Sequence, residues 1–113
     1  MQLNEAEKLA MNISKQIRDY FKDKVDNFST FNVMDQPHIE FSIEFKAYDY
    51  FTIILNYDRG RFGCAINNGS NGIALNNSQK WYDQADMNIF FKELEQQLEL
   101  RIPDKFLEYH GWK

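Results

Sequence analysis

Apolar residues recur at intervals of three and four along the first quarter of the chain. Leu9, Ala10, Ile13, Ile17, Tyr20, Phe21 and Val25 form one stripe, while Lys8, Lys15, Arg18, Lys22 and Asp26 lie off it. That spacing predicts an amphipathic helix. Asn4, with Glu7 three residues later, has the form of a capping box, so the helix is expected to begin near residue 5. Its pattern fails around Asn27, and loop is expected from Asn27 to Pro37.

At His38 the period changes to two: Ile39, Phe41, Ile43 and Phe45 alternate with His38, Glu40, Ser42, Glu44 and Lys46. Tyr50 to Asp58 repeats the alternation with Phe51, Ile53, Leu55 and Tyr57, and Arg61 to Asn67 with Phe62, Cys64 and Ile66. A slip of one residue would send every side chain to the other face, so the hairpin loops test these strands. A three-residue loop, Ala47 to Asp49, pairs Phe45 with Phe51, Ile43 with Ile53 and Phe41 with Leu55. A two-residue loop at Arg59-Gly60, where glycine tolerates positive φ, pairs Tyr57 with Phe62, Leu55 with Cys64 and Ile53 with Ile66. The apolar rows fall on one face in both hairpins, which predicts an antiparallel meander of three strands, or four if Gly72 to Leu75 adds a short one.

Asn, Ser, Gln and Gly dominate between Asn67 and Asp86 and predict loops. Helical spacing returns with Met87, Phe90, Phe91, Leu94, Leu98 and Ile102, with Asp86 as the expected N-cap. Pro103 ends that helix and opens a short one, Asp104 to Tyr109, closed by Gly111. An apolar sheet face needs a cover, and two amphipathic helices supply it. The expected fold is α+β: a two-layer sandwich of a three- or four-stranded antiparallel meander packed against an N-terminal and a C-terminal helix.

A chain of 113 residues, 43% hydrophobic and 16% aromatic, is expected to fold as one domain, residues 1–113. Cys64 is the single cysteine, which excludes an internal disulfide and points to a reducing, cytoplasmic setting. The opening residues lack the form of an export signal, and no apolar run reaches the roughly 20 residues that a membrane span needs. The net charge of −4 argues against nucleic acid, because holding phosphates takes clustered Lys and Arg, and instead suits a basic protein partner.

No catalytic apparatus stands out. His38, His110 and Cys64 lack metal-ligand spacing, and the Asn67 to Gly72 segment lacks the Lys and Ser/Thr of a phosphate loop. Cys64 and His38 fall on opposite sheet faces and cannot form a nucleophile and base. His38, Asp58 and Arg61 read as an edge charge network. No enzyme activity, cofactor or metal is therefore expected. The outward face of the meander offers Glu40, Glu44 and Asp58, with Asp49 at a hairpin tip, beside Tyr50 and Ile54 and next to small Gly63 and Ala65. Aromatic and aliphatic groups within an acidic rim have the composition of a protein interface, and Trp81 in its polar loop is a further candidate anchor.

The chain as a whole resembles small bacterial immunity proteins of polymorphic and contact-dependent growth inhibition toxin systems. The likeness lies in length, acidity, the helix–meander–helix order and the C-terminal run Leu98 to Glu108 followed by Gly111-Trp112. It implies a protein that binds and neutralises a cognate toxin domain, often a nuclease. Two rival readings are a small-ligand or enzymatic domain with a pocket between sheet and helices, and a structural subunit that dimerises through a sheet edge. The first meets a space that Phe41, Phe45, Phe51, Phe62, Phe90 and Phe91 are sufficient to fill.

Overall fold

The computed structural model describes residues 4–68, 71–74 and 80–113. Helix α1, Glu5–Phe21, starts at the expected capping box: Asn4 Oδ1 accepts from the Glu7 N–H at 2.8 Å, and the Glu7 carboxylate accepts from the Asn4 N–H. Asp35, reaching back from a loop, accepts from the Ala6 N–H at 3.0 Å and fills another of the donors that a helix start leaves open. The helix stops at Phe21 rather than near Asn27, because Lys22 takes φ 56° and turns the chain through a short 3-10 segment, Lys22–Lys24.

The chain then enters a strand where loop was expected. Strand β1, Val25–Met34, pairs antiparallel with β2, Glu40–Ala47. Two register shifts interrupt the ladder, one between Asp26 and Ser29 and one between Phe31 and Met34. In each, an asparagine sits in the left-handed region, Asn27 and Asn32 both at φ 55°. Asparagine tolerates that conformation, and each bulge inserts an extra residue. Apolar Val25, Phe28, Phe31, Val33 and Met34 consequently follow neither a period of two nor one of 3.6, which hid the strand.

Strands β3, Phe51–Asp58, β4, Arg61–Asn68, and β5, Asn71–Ala74, extend an antiparallel sheet in the order β1-β2-β3-β4-β5, and a two-residue strand β6, Lys80–Trp81, pairs with β4 as well. The expected fourth strand thus forms as β5, with Leu75 outside the described residues. The Arg59-Gly60 hairpin has the expected register, Tyr57 opposite Phe62, Leu55 opposite Cys64 and Ile53 opposite Ile66. The first hairpin differs by two residues. Its turn is Tyr48 to Tyr50, so Phe45 lies opposite Ile53, Ile43 opposite Leu55 and Phe41 opposite Tyr57. A shift of two keeps every residue on its face, so alternation alone could not distinguish the registers.

Helix α2, Met87–Glu99, is capped by Asp86, whose carboxylate accepts from Asn88 N–H and Ile89 N–H, and α3, Asp104–Tyr109, follows Pro103. The inward sheet residues and Ile13, Ile17, Phe21, Phe90, Phe91, Leu94, Leu98 and Leu107 form one buried cluster. Phe62 meets Phe90 at 4.8 Å between ring centres, and Phe21 meets Phe91 at 6.0 Å. The result is an α+β fold with the helices on one side of an antiparallel sheet.

Ile53 is fully buried, whereas its neighbour Ile54 points to the other face and is partly exposed. Ile53→Asp therefore buries an unpaired carboxylate and should cost several kcal/mol, about 3 or more. Ile54→Asp should cost far less. Urea denaturation of the two variants side by side checks this, and equal losses would mean that the faces are assigned wrongly.

Candidate functional site

The antiparallel ladder aligns the outward residues of β1 to β4 into cross-strand rows. At the centre stands Ser29–Glu44–Ile54–Ala65, beside it Phe31–Ser42–Asn56–Gly63, and at the end Met34–Glu40–Asp58–Arg61. Ser42 is buried and donates a 2.6 Å hydrogen bond to Asn56 Oδ1, which ties β2 to β3 on this face. Asp26 and Lys46 oppose each other on the far side of the centre. Four carboxylates, Asp26, Glu40, Glu44 and Asp58, thus share the face with two cations, Lys46 and Arg61.

The expected contact residues do not all meet here. Glu40, Glu44, Ile54 and Asp58 share the outward face, as alternation predicts. Tyr50 does not. The strand begins at Phe51, so Tyr50 lies in the turn and sets its ring edge-on against Phe51 and Phe106, at 4.7 and 5.0 Å between centres. With 44% of its surface exposed, it helps to seat α3 and does not anchor the outward face. Asp49 is at the hairpin tip and pairs with Lys46 at 2.9 Å, which holds its carboxyl below the usual carboxylate range. Trp81 is 50% exposed, but it belongs to a strand rather than a loop: β6 lays it opposite Arg61, with its ring 3.5 Å from where a side chain on Gly60 would begin. The Arg61 guanidinium stands 5.7 Å from the ring centre.

Four side chains at this end of the face come together. His38 Nε2 is 3.1 Å from Glu40 Oε2 and 3.6 Å from Asp58 Oδ1, and Arg59 Nε is 3.4 Å from the same Asp58 oxygen. His38 and Asp58 thus meet as the expected edge charge network has them, and the β2–β3 register adds Glu40, directly opposite Asp58. Phe31 and Met34 were missed on this face, since they reach it only through the bulged strand β1. Elsewhere, one open groove of about 850 Å³ is lined by residues of α1 and β1, among them Met11, Lys15, Arg18, Phe28 and Thr30. The Arg18 guanidinium caps the Phe28 ring at 4.4 Å.

Cys64 is buried on the inward face, away from His38, and burial pushes its thiol up to about 12. A thiol held protonated is a poor nucleophile and a poor metal ligand. Burial likewise raises the Tyr48 phenol, whose hydroxyl donates a 2.7 Å hydrogen bond to Glu99.

The comparisons with known proteins do not assign this site: no family model matches the chain, and no match was found among curated proteins or solved structures.

Both raised groups make stability fall in alkali, because the unfolded chain releases protons that the folded chain retains. The Cys64 contribution is complete below its ordinary value of 9.0 and declines as pH rises from there towards about 12. By pH 10 it amounts to a loss of about 1 kcal/mol. Cys64→Ala should therefore start from a lower stability but vary less between pH 8 and about pH 10, as read from urea midpoints. An unchanged slope would show that the thiol is not held protonated.

Proposed function

We propose that the protein is an immunity protein that binds a cognate bacterial toxin domain, a nuclease, through the open face of its sheet and so neutralises it. One observation carries the reading. The helices take one side of the sheet and leave the other with Ile54 and Ala65 beside Glu44 in the central row, Phe31 on the edge strand β1, and Glu40 and Asp58 at the end. Met34, 40% exposed, continues the apolar area along β1.

A nuclease needs a basic surface to hold the phosphates of its substrate, so an acidic face can occupy the same groove by charge complementarity. Apolar residues framed by charge have the anatomy of an interface core and rim. The whole-chain resemblance to immunity proteins points the same way. The sheet face replaces Tyr50 with Phe31 as the aromatic member of the contact, and Trp81 stands at its edge. No helix of the described residues is long and apolar enough to cross a membrane.

The test requires a cognate toxin domain, to be sought in the genes adjacent to the one for this chain. Glu44→Lys with Asp58→Lys should slow association and flatten its salt dependence, because long-range attraction acts on encounter. Phe31→Ala or Ile54→Ala should mainly speed dissociation, by tenfold or more if the residue is a central anchor costing about 1.4 kcal/mol or more. Tyr50→Ala should bind as the parent does. Surface plasmon resonance separates the two rates. Parental binding by the sheet-face variants, with loss in Trp81→Ala, would move the contact to the β6 edge.

A further inference from the structure

We infer that His38, Glu40 and Asp58 form a binding site for one divalent transition-metal ion, of the kind that imidazole favours, at the end of the open sheet face. One ligand atom from each residue lies within 4.8 Å of the others. Metal-ligand bonds of 2.0–2.2 Å place tetrahedral donors roughly 3.3–3.6 Å apart. Of the two separations from His38 Nε2, the 3.6 Å to Asp58 stands at that spacing and the 3.1 Å to Glu40 a little inside it.

The placement of the carboxylates is itself an argument. Glu40 and Asp58 are direct cross-strand partners, and like charges at such positions destabilise a sheet. A sequence that keeps an unfavourable pair where any neutral residue would serve commonly does so at a functional position. A divalent ion between them converts the repulsion into attraction, and two carboxylates with a neutral imidazole balance its charge. The backbone fixes the set: β2 and β3 hold Glu40 and Asp58 opposite each other, and the Arg59 N–H donates to Ile39 O at 3.0 Å, next to His38.

The donor set selects the ion. One ring nitrogen and two carboxylate oxygens suit zinc, cobalt or nickel, with water completing the coordination. Calcium takes six to eight oxygens and magnesium a near-ideal octahedron, so both fit this set less well. The competitor is Arg59, whose guanidinium holds Asp58 at 3.4 Å, while Arg61 stands opposite Asp58 on β4. His38 and Glu40 are half-buried and Asp58 is exposed, so the cluster is open to solvent. The site shares Glu40 and Asp58 with the proposed toxin-binding face, but titration with zinc alone needs no toxin, so the two readings fail separately.

The test is calorimetric titration of the whole, tag-free chain with zinc chloride near neutral pH. One ion per chain is expected. His38→Ala and Asp58→Asn should each weaken it at least about tenfold. Asp26→Asn, at a carboxylate of the same face outside the cluster, should leave the affinity unchanged. Arg59→Asn, which removes the competing cation and tolerates the left-handed backbone there at φ 55°, should tighten it. Folding of each variant is checked by its thermal melt, and the absorption spectrum of cobalt added to the parent reports whether a nitrogen–oxygen site forms. No saturable binding at millimolar zinc, or equal affinity in the parent and His38→Ala, would overturn the site.

Discussion

Everything in this molecule depends on one sheet face that water must not reach. Phe41, Tyr57 and Phe62 line up across three strands, as do Ile43, Leu55 and Cys64, and Phe45, Ile53 and Ile66. All nine are buried. Burying such side chains stabilises a fold by roughly 1.5–3 kcal/mol each for the larger ones, so no arrangement that leaves this face open can compete. The stripes of α1 and α2 are its cover, and the helices sit where they do because the sheet needs them there.

A second constraint pins the corner where the first hairpin, the end of α1 and the end of α2 meet. Tyr48 is fully buried, and its turn conformation at φ 59° points a phenol into the helix layer. A buried hydroxyl needs a partner, and Glu99 of α2 accepts its hydrogen bond. Lys24 lies within 3.5 Å of Glu95 and 3.8 Å of Glu99, over the Tyr48 ring, and keeps those half-buried carboxylates from standing uncompensated. Trp112 closes the corner edge-on to Tyr48, with His110 stacked between Trp112 and Phe106. The C-terminal helix is held by aromatic contact and by the 3.3 Å bond from Trp112 Nε1 to Asp23.

With the apolar rows and the helices committed to one side, the opposite side has no structural duty beyond pairing strands. Charge gathers at the end where β2 begins and β3 finishes, and apolar groups gather towards β1. The same alternation that builds the core therefore sorts the groups available for recognition onto a rigid surface.

Much of this was legible from the chain alone, because amphipathic periods are local. The caps at Asn4 and Asp86, the second hairpin, the inward rows, the burial of Cys64 and the outward placement of Glu44 and Ile54 all follow from residues close in sequence. Three matters were decided only by the tertiary structure. Strand β1 has bulges that erase its period, and it exists because β2 offers an edge to pair with. The first hairpin moved by two residues, which sends Tyr50 to α3, since a shift that preserves the face costs nothing in pattern and is settled by the packing of Tyr48. Glu40 joins the expected pair of His38 and Asp58 only through that same β2–β3 pairing, which sets it directly opposite Asp58. Periodicity tells which way a side chain faces, whereas only the register tells which side chain it meets.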